Sequence, residues 1–195
     1  MFHKYLKILA IFFVGFHDIG SANAKLGFDP DSCVLADREA SPEEVKSAYS
    51  DMPKSKKYSI DPAKFAKIYR ALLYAKSGNL RNLSALRLSK SEINEQIKID
   101  DSATLLAWSA RCGRLSIVKY LISRGANVNM RFDYIYPAGI FHSRSTAAIW
   151  GVSGENPKVI AELHRHGANF FLAEDMYPVG SPEKKISFNA TNVPD

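Results

Sequence analysis

Few side chains in this chain of 195 residues have the type and spacing to do chemistry. His164 and His166 flank Arg165, and Cys33 and Cys112 are its two thiols, so a metal or redox centre is the chemistry to consider. Residues two apart on a helix project about 200° from one another at 3.6 residues per turn, so the two imidazoles do not converge on one ion. A place in the last turn of a helix, where positive charge complements the dipole, accounts for them. His142 is isolated. No serine stands in a Gly-x-Ser-x-Gly setting, no glycine-rich loop cradles phosphate, and no carboxylate pair is marked out. The sequence therefore predicts a non-enzyme with no metal and no cofactor. Asn82-Leu83-Ser84 and Asn189-Ala190-Thr191 match glycosylation acceptors, a short pattern that recurs by chance.

What the cysteines do depends on the compartment, and the N-terminus speaks to that. Lys4 and Lys7 precede an apolar run from Ile8 to Phe16, and Ser21-Ala22-Asn23-Ala24 offers a small-x-small site. This three-part pattern is that of a secretory signal peptide, with cleavage expected after Ala24. The run is about half of the roughly 20 apolar residues needed to span a bilayer. Export to a periplasm or beyond is the expectation, with no membrane span left in the processed chain. That chain would keep 24 basic and 19 acidic side chains, a net of +5. Such a balance favours an acidic partner surface or a negatively charged envelope. No dense Lys/Arg stripe points to nucleic acid; Lys54-Ser55-Lys56-Lys57 reads as a solvated linker. In an oxidising compartment, two cysteines argue for a Cys33–Cys112 disulfide over two buried thiols. It would close a loop of about 80 residues, for roughly 4 kcal/mol by loop-closure entropy.

The elements that position these residues are short helices. Residues 25–40 show no clean period. Ser41 and Pro42 open one helix, and Asp61 and Pro62 open another that Gly78 ends. Phe65, Ile68, Leu72 and Leu73 give the second an apolar face. "LRNLSALRL" (80–88) then reads as an amphipathic helix. The informative signal is internal repetition. "ATLLAWSARCGRLSIVKYLISRGANVN" aligns without a gap on "STAAIWGVSGENPKVIAELHRHGANFF", pairing Thr104 with Thr146 and Trp108 with Trp150. Gly125-Ala126-Asn127 likewise pairs with Gly167-Ala168-Asn169. A fainter copy begins near Ala71, where Gly78 precedes Gly113 by 35 residues.

This pattern resembles the ankyrin repeat, a unit of about 33 residues with a Thr-Pro-Leu-His opening, two helices and a Gly-Ala-Asp-Val-Asn exit. Thr104-Leu105-Leu106-Ala107, Gly113, Ile117-Val118 and Gly125-Ala126-Asn127-Val128-Asn129 carry the match best. The third copy departs from it: Ala147 and Ile149 replace the Pro and His, and Glu155 stands where the helix-ending Gly belongs. The resemblance spans residues 65–172. It implies an all-α solenoid of about three repeats with an N-terminal capping helix. The expected organisation is a signal peptide (1–24), a leader and capping helix (25–60), a repeat domain (61–175) and a tail (176–195). The tail is expected to cover the last repeat with "MYPVGSPEKKISF". Trp108 and Trp150, at equivalent positions, are expected to stack in the core.

Within this family the concave groove and inter-repeat loops usually bind, which transfers to Lys76 and Arg111 at the ends of first helices. That transfer also makes Cys112 accessible. The threonine spacing of 42 between the second and third copies exceeds the repeat by nine residues, implying an extended finger. The finger holds Arg131, Phe132, Tyr134, Tyr136, Phe141, His142 and Arg144. Aromatic and arginine side chains dominate interface hot spots, so a protein-binding finger is expected, against the alternative of a hairpin that buries its own aromatics. The implied function is partner binding by an exported monomer, in its sharpest form an immunity-type inhibitor of a periplasmic toxin. A secreted effector binding a host protein, a structural envelope protein, and a redox or metal protein are the rivals.

Overall fold

The computed structural model describes residues 33, 40–51, 60–96, 103–135, 141–170 and 175–178. Its helices are α1 (Pro42–Asp51), α2 (Pro62–Ser77), α3 (Leu80–Ala85), α4 (Lys90–Ile93), α5 (Leu105–Arg111), α6 (Leu115–Ser123), α7 (Ala147–Ser153) and α8 (Pro157–Arg165). Three short strands join them: β1 (Phe132–Ile135), β2 (Phe141–Ser145) and β3 (Asp175–Pro178). The body is all-α, as the resemblance implies, and the strands belong to the finger and the segment that joins it.

Helices of six to nine residues do not persist alone in water, because nucleation costs more than so few hydrogen bonds return. Stacking supplies the difference. The pairs α2/α3, α5/α6 and α7/α8 follow one another, with the first helices α2, α5 and α7 packed side by side. α5 is apolar all round, and Leu105, Leu106, Ala107, Trp108 and Ala110 are all buried between α2 and α7. Its one interior hydroxyl, Ser109 Oγ, donates within the helix to the Leu105 and Leu106 carbonyls at 2.9 and 3.0 Å. Thr104 Oγ1 accepts from the Ala107 amide and Thr146 Oγ1 from the Ile149 amide, so equivalent threonines cap equivalent helices.

Neighbouring pairs are also tied by polar side chains at repeat spacing. Asn94 Oδ1 accepts from the Asn127 amide at 2.8 Å while its Nδ2 donates to the Gly125 carbonyl. Asn129, 35 residues on, accepts from the Asn169 amide at 2.7 Å and donates to the Gly167 carbonyl. On the opposite side Arg114 Nε donates to the Lys76 carbonyl, and Asn156 Nδ2 donates to the Arg111 carbonyl. Each pair thereby satisfies helix-end carbonyls of the one before.

The helix bounds and the tail match expectation in part. The helix expected over 80–88 stops at Ala85, because Arg87 turns left-handed (φ 46°) and Ser89 starts α4 with a capping box through Glu92. α1 forms as expected, with Ser41 Oγ accepting from the Glu44 amide, and packs Val45 and Tyr49 against Phe65 of α2. Of the tail, residues 176–178 pair as part of β3 with the finger, and the turn expected at Ser181-Pro182 lies outside the described residues.

The displaced glycine of the third copy has a structural reason. Gly78 and Gly113 end their helices with φ of +91° and +67°, and Glu155 takes the same position with φ +53°. Gly154 is a glycine for another reason: a Cβ there would collide with the Arg111 carbonyl oxygen. We expect Gly154→Ala to destabilise by about 2–3 kcal/mol, since backbone must move to admit the methyl. Glu155→Gly relieves the left-handed strain and should stabilise by about 0.5–1 kcal/mol, raising Tm by roughly 2–3 °C in a thermal melt.

Glu92 links acid stability to the first pair. Burial pushes its carboxyl pKa up, but hydrogen bonds from Ser89 and the Lys67 ammonium 2.9 Å away outweigh this and hold it below its ordinary 4.5. A lowered folded-state value means the ionised group stabilises the fold fully above pH 4.5, an advantage lost as the pH falls through the lower value. Glu92→Gln keeps a capping-box acceptor and removes the titration. Its urea midpoint should lie below the wild type's at pH 7, with the difference shrinking at pH 3.

Candidate binding site

β1 and β2, which flank the insertion, pair antiparallel. Phe132 stands opposite Ser145, Tyr134 opposite Ser143 and Ile135 opposite His142. β3 adds to the other edge of β2, with His142 opposite Tyr177, so β2 is the central strand of a three-stranded sheet. Tyr136 lies outside the described residues.

The root of this finger is embedded in the stack. Phe132 is 1% exposed and meets Trp150 edge-on, with ring centroids 5.0 Å apart. Trp150 in turn meets Trp108 edge-on at 4.8 Å. Both tryptophans are buried, as their repeat positions predict. Edge-to-face contacts of this kind set a positive ring edge on a negative face, worth about 0.5–1.5 kcal/mol beyond the area buried. The row continues into charge: Lys76 Nζ lies 3.6 Å from the Trp108 ring centroid, and the Arg111 guanidinium carbon lies 5.0 Å from that of Trp150. Lys76 and Arg111 occupy equivalent helix ends, so each repeat sets a cation over the tryptophan of the next.

Two expected surface residues are therefore interior. Lys76, expected to line an open groove, is 3% exposed, its stem buried and its ammonium held against the Trp108 face. Phe132, expected to be a finger contact, is a core residue of the finger's base. Arg111 and Arg131 are half-buried, and Arg144 is exposed. The Arg131 carbonyl accepts a hydrogen bond from Gln96 Nε2, which ties the finger's first residue back to the first pair. Tyr134, Phe141 and His142 have their backbone places in β1 and β2.

Cys33 and Cys112 are joined in a disulfide, with Cα atoms 5.4 Å apart. Arg114 Nη2 donates to the Cys33 carbonyl at 2.8 Å, so a covalent and a polar tie meet where the leader touches the middle pair. Cys112 is half-buried. Of the histidines, His166 Nε2 lies 3.2 Å from Glu162 Oε1, and His164 stands near the Phe170 ring. Arg165 also pairs with Glu162, a carboxylate only 6% exposed. Among the described residues no group of three or more His, Cys, Asp or Glu is placed to hold a metal ion. Nor is any helix there long and apolar enough to cross a membrane.

Asn94, Gln96, Arg114 and Asn156, which tie the pairs and the finger together, went unmarked in the sequence. The 35-residue spacing of Asn94 and Asn129 is a signal that could have found one of them.

The helix pairs, their turns and their spacing define a repeat-built scaffold. The family model described as "Ankyrin repeat" matches residues 101–132, which run from the threonine cap through α5 and α6 to Phe132. Residues 101–132 thus form a unit similar to the ankyrin repeat. No curated protein matches it.

Burial sorts the finger residues. Phe132→Ala should destabilise the fold by about 3–5 kcal/mol through loss of the Trp150 contact and the cavity left behind. Arg144→Ala should stay within about 0.5 kcal/mol of wild type. Chemical denaturation of the two variants measures both.

Proposed function

We propose that the protein is exported and binds another protein through its finger, aided by Arg111 at the adjoining helix end. Ankyrin repeats generally mediate protein–protein interaction, and the observation that carries the finger reading is its root. Phe132 on Trp150 anchors the start of β1 to the stack, and an anchored strand has less backbone freedom to lose on binding. The contact residues are then Arg131, Tyr134, Tyr136, Phe141, His142 and Arg144, with Lys76 and Phe132 as supports. Three arginines beside the aromatics suit a partner with an acidic surface.

Export has the support of the N-terminal pattern and of the disulfide, since such bonds persist in oxidising compartments. A small exported binder without catalytic residues fits the role of an immunity-type inhibitor that occludes a toxin in the periplasm.

The test is capture from envelope and secreted extracts by wild type and by a variant carrying Tyr134→Ala, Tyr136→Ala and Phe141→Ala. The reading expects a partner bound with sub-micromolar affinity by wild type, at least tenfold more weakly by the variant, and neutralised in its toxicity by the wild type alone. A partner that binds both proteins equally moves the site off the finger. A partner without toxicity removes the inhibitor role while leaving the finger in place.

A further inference from the structure

The positive charge of this protein is scattered in sequence and gathered in space. Three segments of twelve residues, 80–91, 114–125 and 156–167, contain the second helices α3, α6 and α8 and their flanking turns. Together they hold eight lysines and arginines and one acid, Glu162. The remaining 159 residues hold 18 basic and 19 acidic side chains, so the whole net positive charge of the chain resides on these segments.

The stack brings them onto one layer. α6 packs against α8. Arg124 Nη2 donates to the Leu88 carbonyl at the foot of α3. The Lys90 side chain lies beside Gly125. Arg81, Arg87, Lys90, Lys119, Arg124 and Lys158 are all exposed, and none forms an ion pair with a described residue. The one acid is buried and already engaged by Arg165 and His166. Glu92 and Glu95, half-buried, pair with Lys67 and Lys64 in the first pair, and the exposed Glu155 lies just ahead of the third segment.

We infer that this second-helix layer is a docking surface for an anionic phospholipid membrane. The occupant follows from what the layer presents. Its six cations are spread over the width of three helices, with Ser84, Ser116, Ser123 and Ala161 exposed between them. Tyr120 is the one aromatic in the three segments and is half-buried, so the layer lacks the anchors of a protein hot spot and the stacking platforms of a nucleic-acid groove. Dispersed basic side chains with no apolar wedge are what a negatively charged lipid surface attracts, at about fivefold in affinity per residue. The finger grows from the first-helix layer through Phe132 and Trp150, so docking by the second-helix layer leaves it uncovered. The inference does not rest on the finger's role, and its test leaves the finger intact.

The disulfide-bonded protein is mixed with sedimenting vesicles of phosphatidylcholine alone or with 30% phosphatidylglycerol, an arbitrary but standard fraction (~30%) for reading surface charge. The comparison variant carries Arg81→Glu, Lys119→Glu and Lys158→Glu. Arg81 and Lys158 lie in the first turns of α3 and α8, where an acid complements the helix dipole, so folding is preserved. A second variant places Gln at the same three positions. We expect binding to the anionic vesicles only, release when salt shortens the screening length, about 100-fold weaker binding by the Gln variant and none by the Glu variant. Absence of wild-type binding, equal binding to neutral vesicles, equal binding by the folded Glu variant, or tighter binding to duplex DNA at equal phosphate concentration would each overturn the inference.

Discussion

The edge-to-face contact of Trp108 and Trp150 is the joint on which the rest of the stack depends. It lies between two seven-residue helices, neither able to hold its own conformation without the other. Lys76 reaches it from the first pair, Arg111 lies against it from the second, and Phe132 closes it from the finger. Lys76, Arg111 and Phe132, from three parts of the chain, therefore share one patch of ring surface. In a one-dimensional stack each unit touches only its neighbours, so a contact that spans two interfaces carries unusual weight. Orienting the finger and stabilising the stack are one packing problem here, because Phe132 serves both.

The repeat was legible because its marks are local. Thr104 and Thr146 cap helices whichever neighbour they meet, and Gly113 and Gly125 mark left-handed turns by their lack of a Cβ. The disulfide was legible from compartment and count, although the spacing alone carried no geometry. What the sequence hid is what depends on the neighbour. Lys76 looks like a surface lysine until Trp108 is placed under its ammonium. Phe132 looks like a finger residue because the insertion begins there, yet its ring belongs to the interface behind it. Burial of a side chain at a boundary between elements follows from which element it packs against, and hydrophobic periodicity is silent on that. The gathering of positive charge was hidden for the same reason: eight basic residues spread over three distant segments make no stripe in sequence and one layer in space.

The two ends of the stack are secured by different means, and the difference follows from what each lacks. The first pair has no Thr-Pro-Leu-His opening, and its second helix stops early at Ala85. Covalent and charged ties compensate: the Cys33–Cys112 bond, the Arg114 bridge to Lys76 and Cys33, and the Lys67–Glu92 and Lys64–Glu95 pairs. The third pair has no disulfide and carries two local costs, a left-handed glutamate at 155 and a buried carboxylate at 162. The carboxylate is stabilised by Arg165 and His166 one turn away, which also explains the His-Arg-His run without a ligand. The position before the left-handed glutamate is closed to any side chain by the Arg111 carbonyl, so Gly154 is needed whatever stands at 155. The glycine at 154 is thus the consequence of the third pair packing closely against the second, at the interface that holds Trp150 and the root of the finger.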